Sequence, residues 1–230
     1  MKLEFKKVTT EEILKETYKL RYKVYCEEWG FEKPVDYPGG LEFDEFDNHS
    51  VHFVAEKDGL IIGTVRIILN SEKGFPIKRH CKIDVDLSHL KKDKIGEISR
   101  LAISKEYRRR AEDRFLYEGI PEVCTDTPQV YIERRRRLEI IVGLYKCIYI
   151  ESKNLDLTCW YAVMAKGLYQ LLKKMGIFFV PVGPEIYYHG FRTPYLGCIE
   201  DMEAEISKAN PELFKEFRED LLQLKSFYRV

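Results

Sequence analysis

The chain has no excess of charge of either sign: 38 Lys and Arg residues balance 38 Asp and Glu residues over 230 positions. Overall charge therefore offers no attraction to nucleic acid or to an anionic membrane, and no nucleic-acid partner is expected. Long apolar runs are missing too. Nothing approaches the ~18 consecutive apolar residues of a membrane-crossing helix, so no transmembrane segment is expected. The opening residues Met1-Lys2-Leu3-Glu4-Phe5-Lys6-Lys7 lack the apolar centre of an export signal, which predicts a cytoplasmic protein. The six cysteines contain no Cys-x-x-Cys pair. With no export signal, they are expected to be reduced and mostly buried. His49 and His52 sit three apart at the start of a strand, a spacing that turns them to opposite faces. No metal site and no permanently bound cofactor are expected.

What is present describes a globular domain. Apolar residues make up 45% and charged residues 33%, and 230 residues are enough for a full core. The expectation is one domain over residues 1–230, with a flap or insertion at 111–130. There Gly119, Pro121 and Pro128 interrupt any period. Thr9-Thr10-Glu11-Glu12 opens a helix that ends near Trp29-Gly30. Residues 31–48, with two prolines, two glycines and six acids, form a loop. Val51 to Glu56 and Leu60 to Leu69 are strands joined at Asp58-Gly59, a hairpin signal. Glu97 to Ile103 is a further strand. Helices are predicted over Arg134 to Ile150, Trp160 to Met175 and Pro211 to Phe227. A short buried strand is predicted over Ile177 to Val182, and another from Tyr195 to Met202. The fold class is α/β, a mixed central sheet flanked by helices.

Six side chains stand out against this background: Arg21, Asp44, Asp47, Arg66, Glu97 and Arg100. Arg66 lies inside Ile61-Ile62-Gly63-Thr64-Val65-Arg66-Ile67-Ile68, and Glu97 and Arg100 flank Ile98-Ser99. A charge in an apolar run is costly to bury unless it is paired. Three acids and three arginines are expected to balance around one polar cleft. On an alternating strand Glu97 and Ser99 share a face and Arg100 takes the other.

These motifs carry a resemblance. The element order, with Leu171-Leu172-Lys173-Lys174-Met175-Gly176-Ile177 closing a late helix, resembles the GNAT (acyl-CoA N-acyltransferase) fold. Arg21, Tyr25 and Trp29, then Glu42-Phe43-Asp44-Glu45-Phe46-Asp47, Arg66 and Glu97-Ile98-Ser99-Arg100 are similar to the acyl-homoserine-lactone synthases. Arg21-Tyr22-Lys23-Val24-Tyr25-Cys26-Glu27 and Tyr188-His189-Gly190-Phe191-Arg192-Thr193-Pro194-Tyr195 look closer to two related groups. These are the N-acyl amino acid synthases and the acyltransferases associated with PEP-CTERM/exosortase systems.

The resemblance implies an N-acyltransferase. It would move a long-chain fatty acyl group from an acyl carrier protein or coenzyme A thioester to the amine of a small molecule, an amino acid in the first instance. Lactone synthesis from S-adenosylmethionine is the alternative, and a non-catalytic protein binding an acylated carrier or lipid signal is a third reading. Such chemistry needs a base for the amine proton, donors for the thioester oxygen and aligned substrates. Glu97 is the base candidate, acting through water, and Ser99 positions a substrate beside it. Arg21, Trp29, Asp44, Asp47, Arg66 and Arg100 are candidates to bind substrate. The resemblance implies that the strand backbone near Leu101 to Ile103 takes the thioester arm. Lys105-Glu106-Tyr107-Arg108-Arg109-Arg110 has no glycine where ordinary GNAT proteins cradle pyrophosphate. This favours an acidic carrier protein docked on Arg108, Arg109 and Arg110. A purely structural ion network tying the first helix and acidic loop to the sheet is the competing reading of these charges.

Overall fold

The computed structural model describes residues 3–107 and 128–227, with side chains over 3–107 and 137–219. It divides into two compact units: residues 3–73, 98–107 and 128–148, and residues 74–97 and 149–227. The flap expected at 111–130 and the Arg108–Arg110 run lie outside the described residues, apart from the start of a helix at Pro128.

In the first unit, β1 (Leu3–Lys7) is followed by α1 (Glu11–Tyr22). The Thr10 hydroxyl accepts the Ile13 N–H at 3.3 Å, the cap that Thr-x-x favours. The helix then widens into a π turn over Lys23–Glu28 and stops before Gly30, at φ +63. The acidic loop follows. Next come β2 (Ser50–Lys57) and β3 (Leu60–Leu69), joined by Asp58 and Gly59, both at positive φ as a two-residue hairpin turn requires. β4 (Ile95–Ile103) completes the order β1-β2-β3-β4, with β1, β2 and β3 antiparallel.

The first part of α3 (Pro128–Asn154) packs against this sheet. Gly63 leaves room for Ile140 and Leu144, and Gly143 leaves room for the Phe5 ring. A β-carbon at Gly143 would stand 2.2 Å from Phe5 Cζ. Ile140, Ile141, Leu144, Tyr145 and Ile148 of α3 are buried, the spacing of one helical face.

The second unit holds the start of β4, a short α2 (Ile77–His80), β5 (Cys159–Met164), α4 (Lys166–Lys174), β6 (Val180–Pro181), β7 (Ile186–Tyr187), β8 (Phe191–Cys198), α5 (Ile199–Ala209) and α6 (Pro211–Phe227). Its strand order runs β4-β5-β8-β6, with β7 on β8. β5, β6 and β7 are each antiparallel to β8. Buried aromatics fill this unit. The Trp160 ring lies 6.3 Å from Phe179 and its Nε1 donates to Ser152 Oγ at 2.8 Å, so its one polar atom is satisfied.

Several expected elements change. The helix expected over Trp160 to Met175 is a strand to Met164 and a helix only from Lys166. Cys-Trp-Tyr-Ala-Val-Met is rich in the aromatic and β-branched residues that suit a pleated surface. The strand expected from Tyr195 to Met202 runs from Phe191 to Cys198 and turns into helix α5 at Ile199. The strand at Ile177 to Val182 shrinks to two exposed residues, Val180 and Pro181. β1 was not anticipated.

Candidate active site

The first unit builds one polar cluster from three elements. Arg21 comes from the last turn of α1, fully buried. Its Nε donates to Glu42, and its two terminal nitrogens donate to the two carboxylate oxygens of Asp47 at 2.7 and 3.1 Å. The guanidinium also lies 5.2 Å from the centre of the Tyr18 ring. Arg66 enters from β3, 1% exposed. It donates to both oxygens of Asp44 at 2.7 Å, to Asp47 Oδ1 at 2.6 Å and through Nε to Ser99 Oγ at 2.9 Å. Asp47 thus bridges two buried guanidiniums. Its Oδ2 also accepts the Asp44 N–H at 2.7 Å, which folds the acidic loop around its own carboxylate.

Arg100 completes the cluster from β4. It donates to Glu42 Oε1 at 3.0 Å and reaches Asp44 Oδ2 at 3.1 Å and Glu32 Oε1 at 3.4 Å. Strict alternation along β4 predicts that Ser99 and Arg100 face apart. Instead, both meet groups that Asp44 holds together. Arg100 sits at φ +54, a left-handed conformation that interrupts the strand's alternation. Such a conformation is unfavourable for a residue with a β-carbon and is held here by the ion pairs around it.

Electrostatics divides the cluster into an interior and an edge. Burial alone would raise the Asp47 carboxyl, but the Arg21 and Arg66 guanidiniums outweigh it and hold it far below the ordinary range. Glu42 is lowered against its own burial by Arg21 and Arg100, and Asp44 against its burial by Arg66. At the edge, burial raises Glu32, and Arg100 only partly opposes this. Among the described residues, the carboxylates of Glu32, Glu42, Asp44 and Asp47 meet the guanidiniums of Arg21, Arg66 and Arg100. His52, cross-strand partner of Arg66, adds no compensating charge: burial lowers its imidazole from 6.5 to about 4 although Asp47 lies 3.5 Å away.

Five of the six expected residues, Arg21, Asp44, Asp47, Arg66 and Arg100, are thus joined in one network. Ser99 belongs to it, and Glu42, Glu32 and His52 are additions. Glu97 belongs to the second unit, where its carboxylate accepts the Ile77 N–H at 3.0 and 3.2 Å, at the start of α2. In the first unit Trp29 stacks on Phe31 at 5.8 Å and packs on Leu20, Val24 and Ala102. The Tyr25 hydroxyl donates to the Leu101 carbonyl at 2.9 Å, tying the π turn to β4. Arg100 lies 5.6 Å from the centre of the Tyr25 ring. Of the strand residues expected to meet the donor, Leu101 is partly exposed and Ile103 buried. Among the described residues no group of three or more His, Cys, Asp or Glu side chains is arranged to hold a metal ion. Among them, too, no helix is long and apolar enough to cross a membrane.

Residues 20–118, which include the whole cluster, match the family described as "Acetyltransferase (GNAT) domain". Together with the mixed sheet and its helices, this match over less than half of the chain gives it a GNAT-type fold. Solved structures of three synthases share that fold. The acyl-homoserine-lactone synthase LasI is 17% identical, with a TM-score of 0.58, over 90% of this chain and 93% of that one. BjaI, a CoA-dependent acyl-homoserine lactone synthase, is 14% identical, with a TM-score of 0.60, over 90% of each chain. FeeM, an N-acyl amino acid synthase from uncultured soil microbes, is 10% identical, with a TM-score of 0.57, over 89% of this chain and 94% of that one. No curated protein sequence matches the chain.

Proposed function

We propose that the protein transfers a long-chain fatty acyl group from a carrier-protein or coenzyme A thioester to the amine of a small molecule, an amino acid in the first instance. The observation that carries this reading is the solvent-reaching edge of the cluster, where Glu32 and Asp44 stand beside Arg100. The two carboxylates suit an ammonium group. Arg100 at that edge suits the carboxylate of the same acceptor. An amino acid carries both groups. Arg21, Arg66 and Asp47 hold the edge in place from below.

The reaction needs the amine in its neutral form. Glu97 takes the amine proton, through water. A carboxylate has about four lone-pair sites, and the bond from the Ile77 N–H does not preclude this role. The amine nitrogen attacks the thioester carbonyl, the C–N bond forms, the C–S bond breaks and the thiolate leaves with a proton. Ser99 positions the acceptor, and backbone N–H groups near Leu101 and Ile103 receive the thioester arm. Neither an acyl-enzyme nor a bound cofactor is needed.

Lactone synthesis from S-adenosylmethionine is the second reading. The same carboxylates suit a sulfonium, and the fold is shared with BjaI and LasI. The test is release of free thiol from a long-chain acyl carrier protein and from acyl-CoA, with mass spectrometry of the products across amino acids and S-adenosylmethionine. An N-acyl amino acid, with turnover reduced about 100-fold or more in Glu97→Gln and the fold retained, supports the proposal. A lactone product establishes the second reading. Tight carrier binding without thiol release, with any amine, identifies a non-catalytic binder.

A further inference from the structure

The second unit contains a feature that acyl transfer does not use. Cys159, at the start of β5, and Cys198, at the end of β8, are direct cross-strand partners. Their sulfurs lie 3.1 Å apart and both are free thiols. Antiparallel partners have Cα atoms about 4.5–5.5 Å apart, inside the ~4.4–6.8 Å that a disulfide spans. Closing the bond therefore needs rotation of two side chains and no movement of the sheet.

We infer that Cys159 and Cys198 form an oxidisable dithiol, a modification site that takes a small peroxide and closes to an intramolecular disulfide.

The pair is chemically distinct from Cys26 and Cys81. The hydrogen bond with Cys198 lowers the Cys159 thiol to about 7, with help from Thr158. The same bond, burial and the resulting negative charge push Cys198 up. The pair shares one proton near neutral pH, so a thiolate is present where both sulfurs meet. Burial pushes Cys26 and Cys81 up to about 11 and leaves them as thiols. Cys159 is only 3% exposed, whereas Cys198 is partly exposed and is the side from which peroxide arrives.

The steps balance. A thiolate of the pair attacks one peroxide oxygen, the O–O bond breaks and the departing hydroxide takes a proton to become water. The sulfenic acid so formed is attacked by the neighbouring sulfur, the S–S bond forms, the S–O bond breaks and a second water leaves. Two thiols are oxidised by one peroxide, which is reduced to two waters.

The experiment treats the full chain with equimolar hydrogen peroxide, alkylates the remaining thiols and maps unreduced peptides by mass spectrometry. The expected result is a Cys159–Cys198 linked peptide and the loss of two free thiols, reversed by dithiothreitol. The oxidation rate should rise with pH around 7. Cys198→Ser, checked for an unchanged thermal midpoint, should lose the linked peptide. Alkylated Cys159 and Cys198 with another cysteine consumed would overturn the inference. So would Cys198 oxidised to the sulfinic acid without a link.

Discussion

Asp47 is the residue on which the polar cluster turns. It is 7% exposed overall and bonds two guanidiniums that are themselves buried. Removing its charge leaves Arg21 and Arg66 facing each other with only Glu42 and Asp44 to compensate. We expect Asp47→Asn to lower unfolding stability by about 3–5 kcal/mol, measured by urea titration. Asp44→Asn, at the solvent-reaching edge, should cost less stability and more acceptor binding. His52 makes a pH prediction. Its folded value of about 4 lies below the 6.5 of the unfolded chain. As pH falls from 6.5 towards 4, the unfolded state gains a proton that the folded state refuses, so stability declines across that window. His52→Gln should flatten the stability–pH curve there while the loss at lower pH, from protonation of Asp47, Glu42 and Asp44, remains. An unchanged slope between pH 6.5 and 4 in the variant would sink this assignment. At this scale the sequence was legible wherever a charge interrupted an apolar run, as at Arg66 and Arg100. In the acidic loop it picked out Asp44 and Asp47 but not Glu42. Nothing in the sequence separates Glu42, whose side chain is wholly buried, from Glu45, which pairs with Lys73 at the surface; the path of the loop backbone decides.

Elements were legible where their ends carry their own chemistry. α1 is announced by Thr10, whose hydroxyl caps it, and α6 by Asn210 and Pro211, where Asn210 Oδ1 accepts the Leu213 N–H at 3.2 Å. The β2–β3 hairpin is announced by Asp58-Gly59. α4 and α5 begin at Ala165 and Cys198, neither of which caps with a side chain. With no start signal, the apolar run of β5 merges with α4 and that of β8 with α5, and periodicity over so few residues does not part them. The packing of α3 on β1 was equally hidden, since it depends on a missing side chain. Gly143→Ala should cost about 1–3 kcal/mol through overpacking against Phe5. Phe5→Leu, mildly destabilising alone, should recover part of that loss in the double variant. Additive losses in thermal unfolding would show that the two positions do not meet.

At the scale of the whole molecule the balanced charge is itself informative. A neutral protein has no long-range pull on an acidic carrier, so any attraction must come from a concentrated patch. In the sequence, four residues separate Arg108-Arg109-Arg110 from the end of the strand that carries Glu97, Ser99 and Arg100. If an acyl carrier protein is the donor, reversing these three charges to Glu should raise its KM about tenfold at low salt. Moderate salt, with a Debye length of ~8 Å at 0.15 M, should narrow the gap by weakening the wild-type interaction. Acyl-pantetheine carries the same thioester arm without the acidic protein or the nucleotide phosphates, so its KM should not change. Acyl-CoA adds the phosphates and the adenosine. A penalty confined to acyl-CoA would assign the arginines to its nucleotide portion and count against the carrier protein as donor. A penalty shared by acyl-pantetheine would show that the triple variant damages the thioester site itself. Only a penalty that appears with the carrier protein and fades with salt connects the arginine run to protein docking.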